Sequence, residues 1–320
     1  MEKSSGPNPP TMPYHTPDPI WTIYVNATKF DRYTEHFVVP GRFHQLVPPE
    51  VSKAYETVEY LMAHAWYHYP MLDEALAKLL RVLEMAVKLR CDSLGLKVTG
   101  KNFQQLIDMT FPASTVNEFN DTMHWLRYVR NELMHPKPKN LFGGAALTHI
   151  RQCITLLNAL FLPEQYFQNA QTTLEYLRKQ CQPFEKGSFL LEYEGKRILI
   201  YRAILEEVYF FEDDWLVLCA FHTIPVDFTQ MLKNNRFPRP IVCLLRGIQI
   251  EGTTLHGSVG TTGQSFVLSL SKQPDDIAEV AAFEQEKMEI SAVDASFCQA
   301  TASDEIYRIK VEARYIYWSL

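Results

Sequence analysis

At Pro183 the hydrophobic period of this 320-residue chain changes from helical to extended, so one half must pack as helices and the other as a sheet. Before that point the apolar residues recur every three or four positions. Pro48-Pro49-Glu50 opens a helix with Val51, Tyr55, Val58, Leu61, Met62 and Ala65 on one face. Pro70 stands at the first position of a second helix, where its missing N–H costs nothing. Leu72, Ala75, Leu76, Leu79, Leu83, Ala86 and Val87 form its stripe, and Gly95 stops it. Thr115-Val116-Asn117-Glu118 has the form of a capping box for a third helix, running to about His135. Leu147, Ile150, Ile154, Leu157 and Leu160 mark a fourth, and Glu164 to Gln180 a fifth. Short connections favour an up-and-down antiparallel bundle.

After Pro183, short runs rich in β-branched and aromatic residues alternate with turn signals such as Glu194-Gly195 and Glu212-Asp213-Asp214. Strands are expected at 189–193, 196–203, 208–211, 215–221, 266–270, 288–297 and 306–318. The stretch from Asp227 to Gly263, rich in Pro, Asn, Gly and Thr, fits no element clearly. The expected class is α+β. A flexible or extended lead-in (1–49) precedes an antiparallel helical bundle (50–182). A mostly antiparallel β domain follows (183–320), as a small barrel or a sandwich.

Charge narrows the function. Glu50 to Gln182 carries 14 Lys and Arg against 13 Asp and Glu, a net of +1; Pro183 to Leu320 carries 13 against 20, a net of −7. Sequence-independent affinity for nucleic acid comes from neutralising phosphates, so an acidic half is a poor binder. Any RNA contact is therefore expected in the first half, where Lys97, Lys101, Arg127, Arg130, Lys137 and Lys139 are available. No apolar run reaches the roughly 18 residues of a membrane span, and the polar, Pro-rich first residues lack the apolar core of a secretion signal. Six cysteines without a C-x2-C pair fit reduced thiols in the cytoplasm better than a disulfide framework or a zinc site. No metal and no cofactor is expected.

The chemistry concentrates in Arg130-Asn131-Glu132-Leu133-Met134-His135. A guanidinium grips phosphate, and an imidazole moves a proton near neutral pH. On a helical wheel Phe119, Met123, Leu126 and Leu133 fall within roughly 80° of one another, with Arg130 inside that arc. An arginine in an apolar stripe requires a carboxylate, a phosphate or a partner subunit. A bundle carboxylate such as Glu84 or Asp73 would make it purely structural. His135 precedes Pro136, which ends the helix near it, and the helix C-terminus mildly favours the protonated ring. On an ideal helix, however, positions five apart point about 140° away from each other.

The segment from about Val51 to Gln182 resembles a HEPN domain, a helical ribonuclease superfamily with an R-x4-6-H signature. The likeness rests on the bundle, the Ala- and Leu-rich run Asp73 to Arg90, and Arg130, Asn131 and His135 on a late helix; it covers about two fifths of the chain. It implies a metal-independent endoribonuclease whose two subunits build one composite cleft, which also removes the 140° difficulty. By that resemblance Arg130 holds the scissile phosphate, His135 is general acid or base, and Asn131 positions them. Arg127, Lys137 and Lys139 would contact flanking RNA. The substrate's own 2′-hydroxyl would attack, leaving 2′,3′-cyclic phosphate and 5′-hydroxyl ends. The likeness further implies a homodimer in a toxin, stress or antiviral defence role, with an antitoxin or regulatory ligand at the β domain.

Two rival functions stand beside it: a non-catalytic HEPN scaffold, and a sensor whose β domain binds a ligand, for instance between Tyr209, Trp215 and Trp318. Minor signals are better explained structurally. His64 and His68 share a helix face but have no third ligand by spacing. Asp213-Asp214 and Asp275-Asp276 occupy turn-like positions. The glycine-spaced stretch 252–263 lacks the lysine of a phosphate-binding loop.

Overall fold

The computed structural model describes residues 16–24, 28–110, 117–134, 143–260 and 262–319. The chain divides into two units, Met1–Phe161 and Leu162–Leu320, each with its own core.

The first unit is helical: α1 (Ile20–Tyr24), α2 (Phe30–Phe37), α3 (Pro49–His64), α4 (Met71–Ser93), α5 (Phe103–Thr110), α6 (Asn117–Met134) and α7 (Ala146–Phe161). Helix α4 is its centre and packs against α3, α5, α6 and α7. All seven residues of its expected stripe are buried, and Ala77, Leu80, Val82 and Cys91 are buried as well. A helix surrounded by neighbours has little face left for water. Sequence periodicity misses α5, although its cap is written locally. Asn102 Oδ1 accepts from the Gln105 N–H at 2.9 Å, and Gln105 Oε1 accepts from the Asn102 N–H at 3.0 Å.

Residues 18–24 and 28–47 are not the extended lead-in that composition suggests. Trp21 donates its indole N–H to the Ala65 carbonyl (2.9 Å), and Tyr33 donates its hydroxyl to the Met62 carbonyl (2.6 Å). Both rings are buried, 4.6 Å apart, against the end of α3. His44, also buried, is held by the Asn158 carbonyl and side chain on α7. Aromatic burial across long sequence separations leaves no periodicity to read.

The second unit begins earlier than expected, at Leu162. Helix α8 (Glu164–Cys181) belongs to it and not to the bundle: Leu174 and Cys181 enter the barrel cluster, and Arg178 Nε donates to the Leu205 carbonyl at 2.8 Å. Six strands follow, β1 (Phe189–Tyr193), β2 (Lys196–Phe211), β3 (Asp214–Thr223), β4 (Ile241–Glu251), β5 (Thr254–Val259) and β6 (Ser265–Leu270). Each pairs antiparallel with the next, and β6 closes on β1, so the sheet is a barrel and not a sandwich. Alternating residues such as Phe189, Leu191, Val217, Cys219, Phe221 and Leu268 fill it. The two strands expected at 196–203 and 208–211 are one strand, bent at irregularities near Ile200/Arg202 and Leu205/Glu207. Strands β4 and β5 occupy the stretch that fits no element by sequence; Gly247, with φ +61°, sits in an irregularity of their pairing that breaks the alternation. The Asp213-Asp214 signal is the β2–β3 hairpin turn, with Glu212 and Asp213 at positive φ.

Between β3 and β4 lies α9 (Phe228–Lys233), and after β6 come α10 (Pro274–Glu289) and α11 (Ala292–Tyr317). The strands expected at 288–297 and 306–318 are therefore helical, apart from a break near Ile290–Ser291 and a turn after Tyr317. Local chemistry explains the reversal. Pro274 opens α10 with Asp275 and Asp276 in its first turn, and the Ser291 side chain caps α11 by accepting from the Asp294 N–H at 3.1 Å. Ser291→Ala is expected to cost about 1 kcal/mol, lowering the barrel unit's melting temperature by about 2–4 °C in a thermal scan.

His222, on β3, predicts a pH dependence. Burial first, then the charges of Arg202 and Lys287, push its imidazole down from 6.5 to about 4. A folded value below the unfolded one stabilises the fold fully above about 6.5, and that contribution drains away as the pH falls toward 4. Acidification from about pH 7 to about pH 5 should therefore lower the urea midpoint of the wild type more than that of His222→Gln.

Candidate active site

Helix α6 presents Phe119, Met123, Leu126 and Val129 to the core, all buried, while Leu133 is only half-buried. Arg130 lies at the edge of that stripe, facing α4 and α5. Its Nη2 donates to Glu84 Oε2 on α4 at 2.6 Å, and its Nη1 donates to Asn131 Oδ1 at 3.3 Å. The guanidinium carbon stands 6.0 Å from the Phe103 ring centre on α5. Glu84 is shared: its second oxygen receives Lys88 Nζ at 2.9 Å, one turn along α4. Two cations thus face one carboxylate, and the cluster keeps a net positive charge. Of the two carboxylates named from sequence, Glu84 is the partner. Asp73 instead accepts from the Gly143 N–H at 3.0 Å, fixing the turn before α7.

The pairing orients the guanidinium without saturating it. An arginine has five N–H donors, and two are engaged here. The side chain remains 29% exposed against 18% for Glu84, so it is neither locked in the core nor free to swing. Its Nε and that of Arg127, one turn earlier, are buried without hydrogen-bond partners. A phosphate oxygen would accept from the second N–H on each Nη of Arg130 and not from these buried Nε atoms.

The structure brings Arg130 and Asn131 together and places Arg127 on the adjacent flank. His135, Lys137 and Lys139 lie outside the described residues, as does the Thr115 end of the capping box. Sequence reasoning missed Lys88 and Phe103. The Glu84-x3-Lys88 spacing was the available signal for the first; nothing local announced the second.

Trp125 and Tyr128 stack with ring centres 5.5 Å apart and are half-exposed. They project from the flank of α6 roughly opposite Arg130, about 170° away on the wheel. His64 is a structural residue: its Nδ1 donates to the Tyr60 carbonyl at 2.8 Å, and its ring stacks on Tyr60. Of the three aromatics that would line a pocket in the sensor reading, Tyr209 and Trp318 are buried packing residues and Trp215 is half-buried. Among the described residues no single helix is long and apolar enough to cross a membrane.

Comparison with protein-family models, with curated proteins and with solved structures finds no match to this chain.

Proposed function

We propose that this chain is a HEPN-type, metal-independent endoribonuclease that acts as a homodimer in the cytoplasm. The observation that carries the reading is the partly exposed Arg130 guanidinium, aimed by Glu84 and Asn131 through two donors with others left for a phosphate. In the proposed reaction the ribose 2′-oxygen attacks the adjacent phosphorus and the bond to the 5′-oxygen breaks. The 2′-hydroxyl proton passes to a base, the leaving 5′-oxygen gains one, and the products carry a 2′,3′-cyclic phosphate and a 5′-hydroxyl. Arg130 offsets the charge building on the non-bridging oxygens. His135 moves a proton. Arg127, Lys137 and Lys139 hold flanking phosphates. Association with a second copy follows the family likeness. A toxin, stress or defence role follows the family likeness alone, as does control through the barrel unit by an antitoxin or ligand.

The same ion pair favours a second reading, in which Arg130 only ties α6 to α4 in a non-catalytic HEPN scaffold. The two separate in one assay: purified full chain and labelled structured RNA in excess EDTA, beside His135→Ala. Cleavage by the wild type, lost in a variant that melts normally, is the expected result. Intact RNA with dimeric wild type would leave the scaffold.

A further inference from the structure

The barrel unit carries a cavity of about 430 Å³ on its outer side, between β2–β3, α9, α10 and α11. That is the size range of small-molecule sites. Its chemistry is two-sided. Phe228, Phe283 and Ile306 give it an apolar wall, and its aromatic contacts are ordered: Tyr201 to Phe283 at 5.1 Å, and Phe228 to Phe283 at 5.1 Å. Against that wall stand three cations, Arg202, Arg239 and Lys287, and one lining carboxylate, Glu206.

In a half of the chain with a net charge of −7, this concentration runs against the background. Nor are the cations consumed internally. Arg202 has no ion pair among the described residues. Lys287 Nζ lies 4.7 Å from the Tyr201 ring centre and donates to its hydroxyl at 3.3 Å. Arg239 reaches Glu305 only at 3.9 Å, with its own side chain 71% exposed. His222, also in the lining, has its Nε2 buried without a hydrogen-bond partner.

Helix α11 keeps the space open. Among its described residues, the buried ones begin only at Val311; the earlier part, with Val293 and Phe297 exposed, buries none. Toward the cavity it presents the small side chains Ala295, Cys298, Ala302 and Ser303 together with the longer Gln299 and Ile306.

We infer that this cavity is a binding site for a small amphiphilic organic anion, its charged group between Arg202 and Lys287 and its apolar body against Phe283 and Ile306. The site shares no residue with the Arg130 cluster and needs no RNA cleavage to bind its ligand. Cys298 lines the cavity and is half-buried, so it reports occupancy.

The test is a fluorescence titration of the full chain with 8-anilinonaphthalene-1-sulfonate, beside the neutral N-phenyl-1-naphthylamine. Saturable binding at one site per chain is expected. It should be weaker by about ten-fold or more for the neutral probe, and for Arg202→Gln/Lys287→Gln with unchanged melting. Bound sulfonate should also slow alkylation of Cys298, read by peptide mass spectrometry. Absence of saturable binding, equal affinity in the double variant or for the neutral probe, or an unprotected Cys298 would overturn the assignment.

Discussion

Arg130→Ala is expected to slow RNA cleavage by about 10²- to 10³-fold, the loss typical of one preorganised donor at a developing charge. Its effect on the fold should be small by comparison. Lys88 continues to neutralise Glu84 after the arginine is gone, so the unfolding free energy should fall by only about 1–2 kcal/mol. Arg130→Lys should recover little activity. A lysine keeps the charge but cannot hold Glu84 and Asn131 with one planar group and still present further donors in fixed directions. Single-turnover rates with urea unfolding of the same variants separate the two readings of this ion pair. A scaffold residue would show the same modest stability loss and no rate to lose.

The largest stability effect should come from Arg314. It is buried on α11, and its Nε stands 3.0 Å from both oxygens of Glu207 on β2. Tyr209 donates its hydroxyl to the same carboxylate at 3.0 Å, and Trp318 lies 5.2 Å from the guanidinium carbon. Burial first, then Glu207, pushes the Tyr209 phenol well above its usual value, so the carboxylate sits among groups that cannot share its charge. Arg314→Ala would leave Glu207 without its cation, at a cost of about 3–5 kcal/mol. In a thermal scan that is a fall of about 10 °C for the barrel unit. Arg314→Met with Glu207→Gln removes both charges together and should be less damaging than the single change. A loss below about 1 kcal/mol for Arg314→Ala would show that α11 docks by its apolar contacts alone.

Where sequence and structure agree, the information was local and periodic. The stripes of α3, α4 and α7 repeat every three or four residues, and their helices stand where those stripes predict. The disagreements have separate causes. Trp21 and Tyr33 reach the end of α3 by contacts that no window of sequence contains. Ile306, Tyr307, Ile309 and Val311 read as strand formers by residue type, yet the Ser291 cap and a continuous helical frame override that weak preference. In β2 the bends that carry one strand around the barrel disguise it as two.

The candidate site was legible in part. An arginine inside an apolar stripe demands a partner, and Glu84 was one of two carboxylates within reach of that argument; choosing between it and Asp73 needed the packing of α4 against α6. The cavity beside α10 and α11 was not legible at all, because it depends on α11, where the residue types suggest two strands, and on α10, over a stretch that the sequence reading assigns to no element.

The most direct measurement replaces a single ribose at a mapped cleavage position with its 2′-deoxy counterpart, in labelled RNA incubated with the full chain in excess EDTA. The proposed mechanism predicts that cleavage stops at that position alone, and that the unmodified RNA yields 2′,3′-cyclic phosphate and 5′-hydroxyl ends. Cleavage that persists at the deoxy position, or products ending in 5′-phosphate, would contradict it.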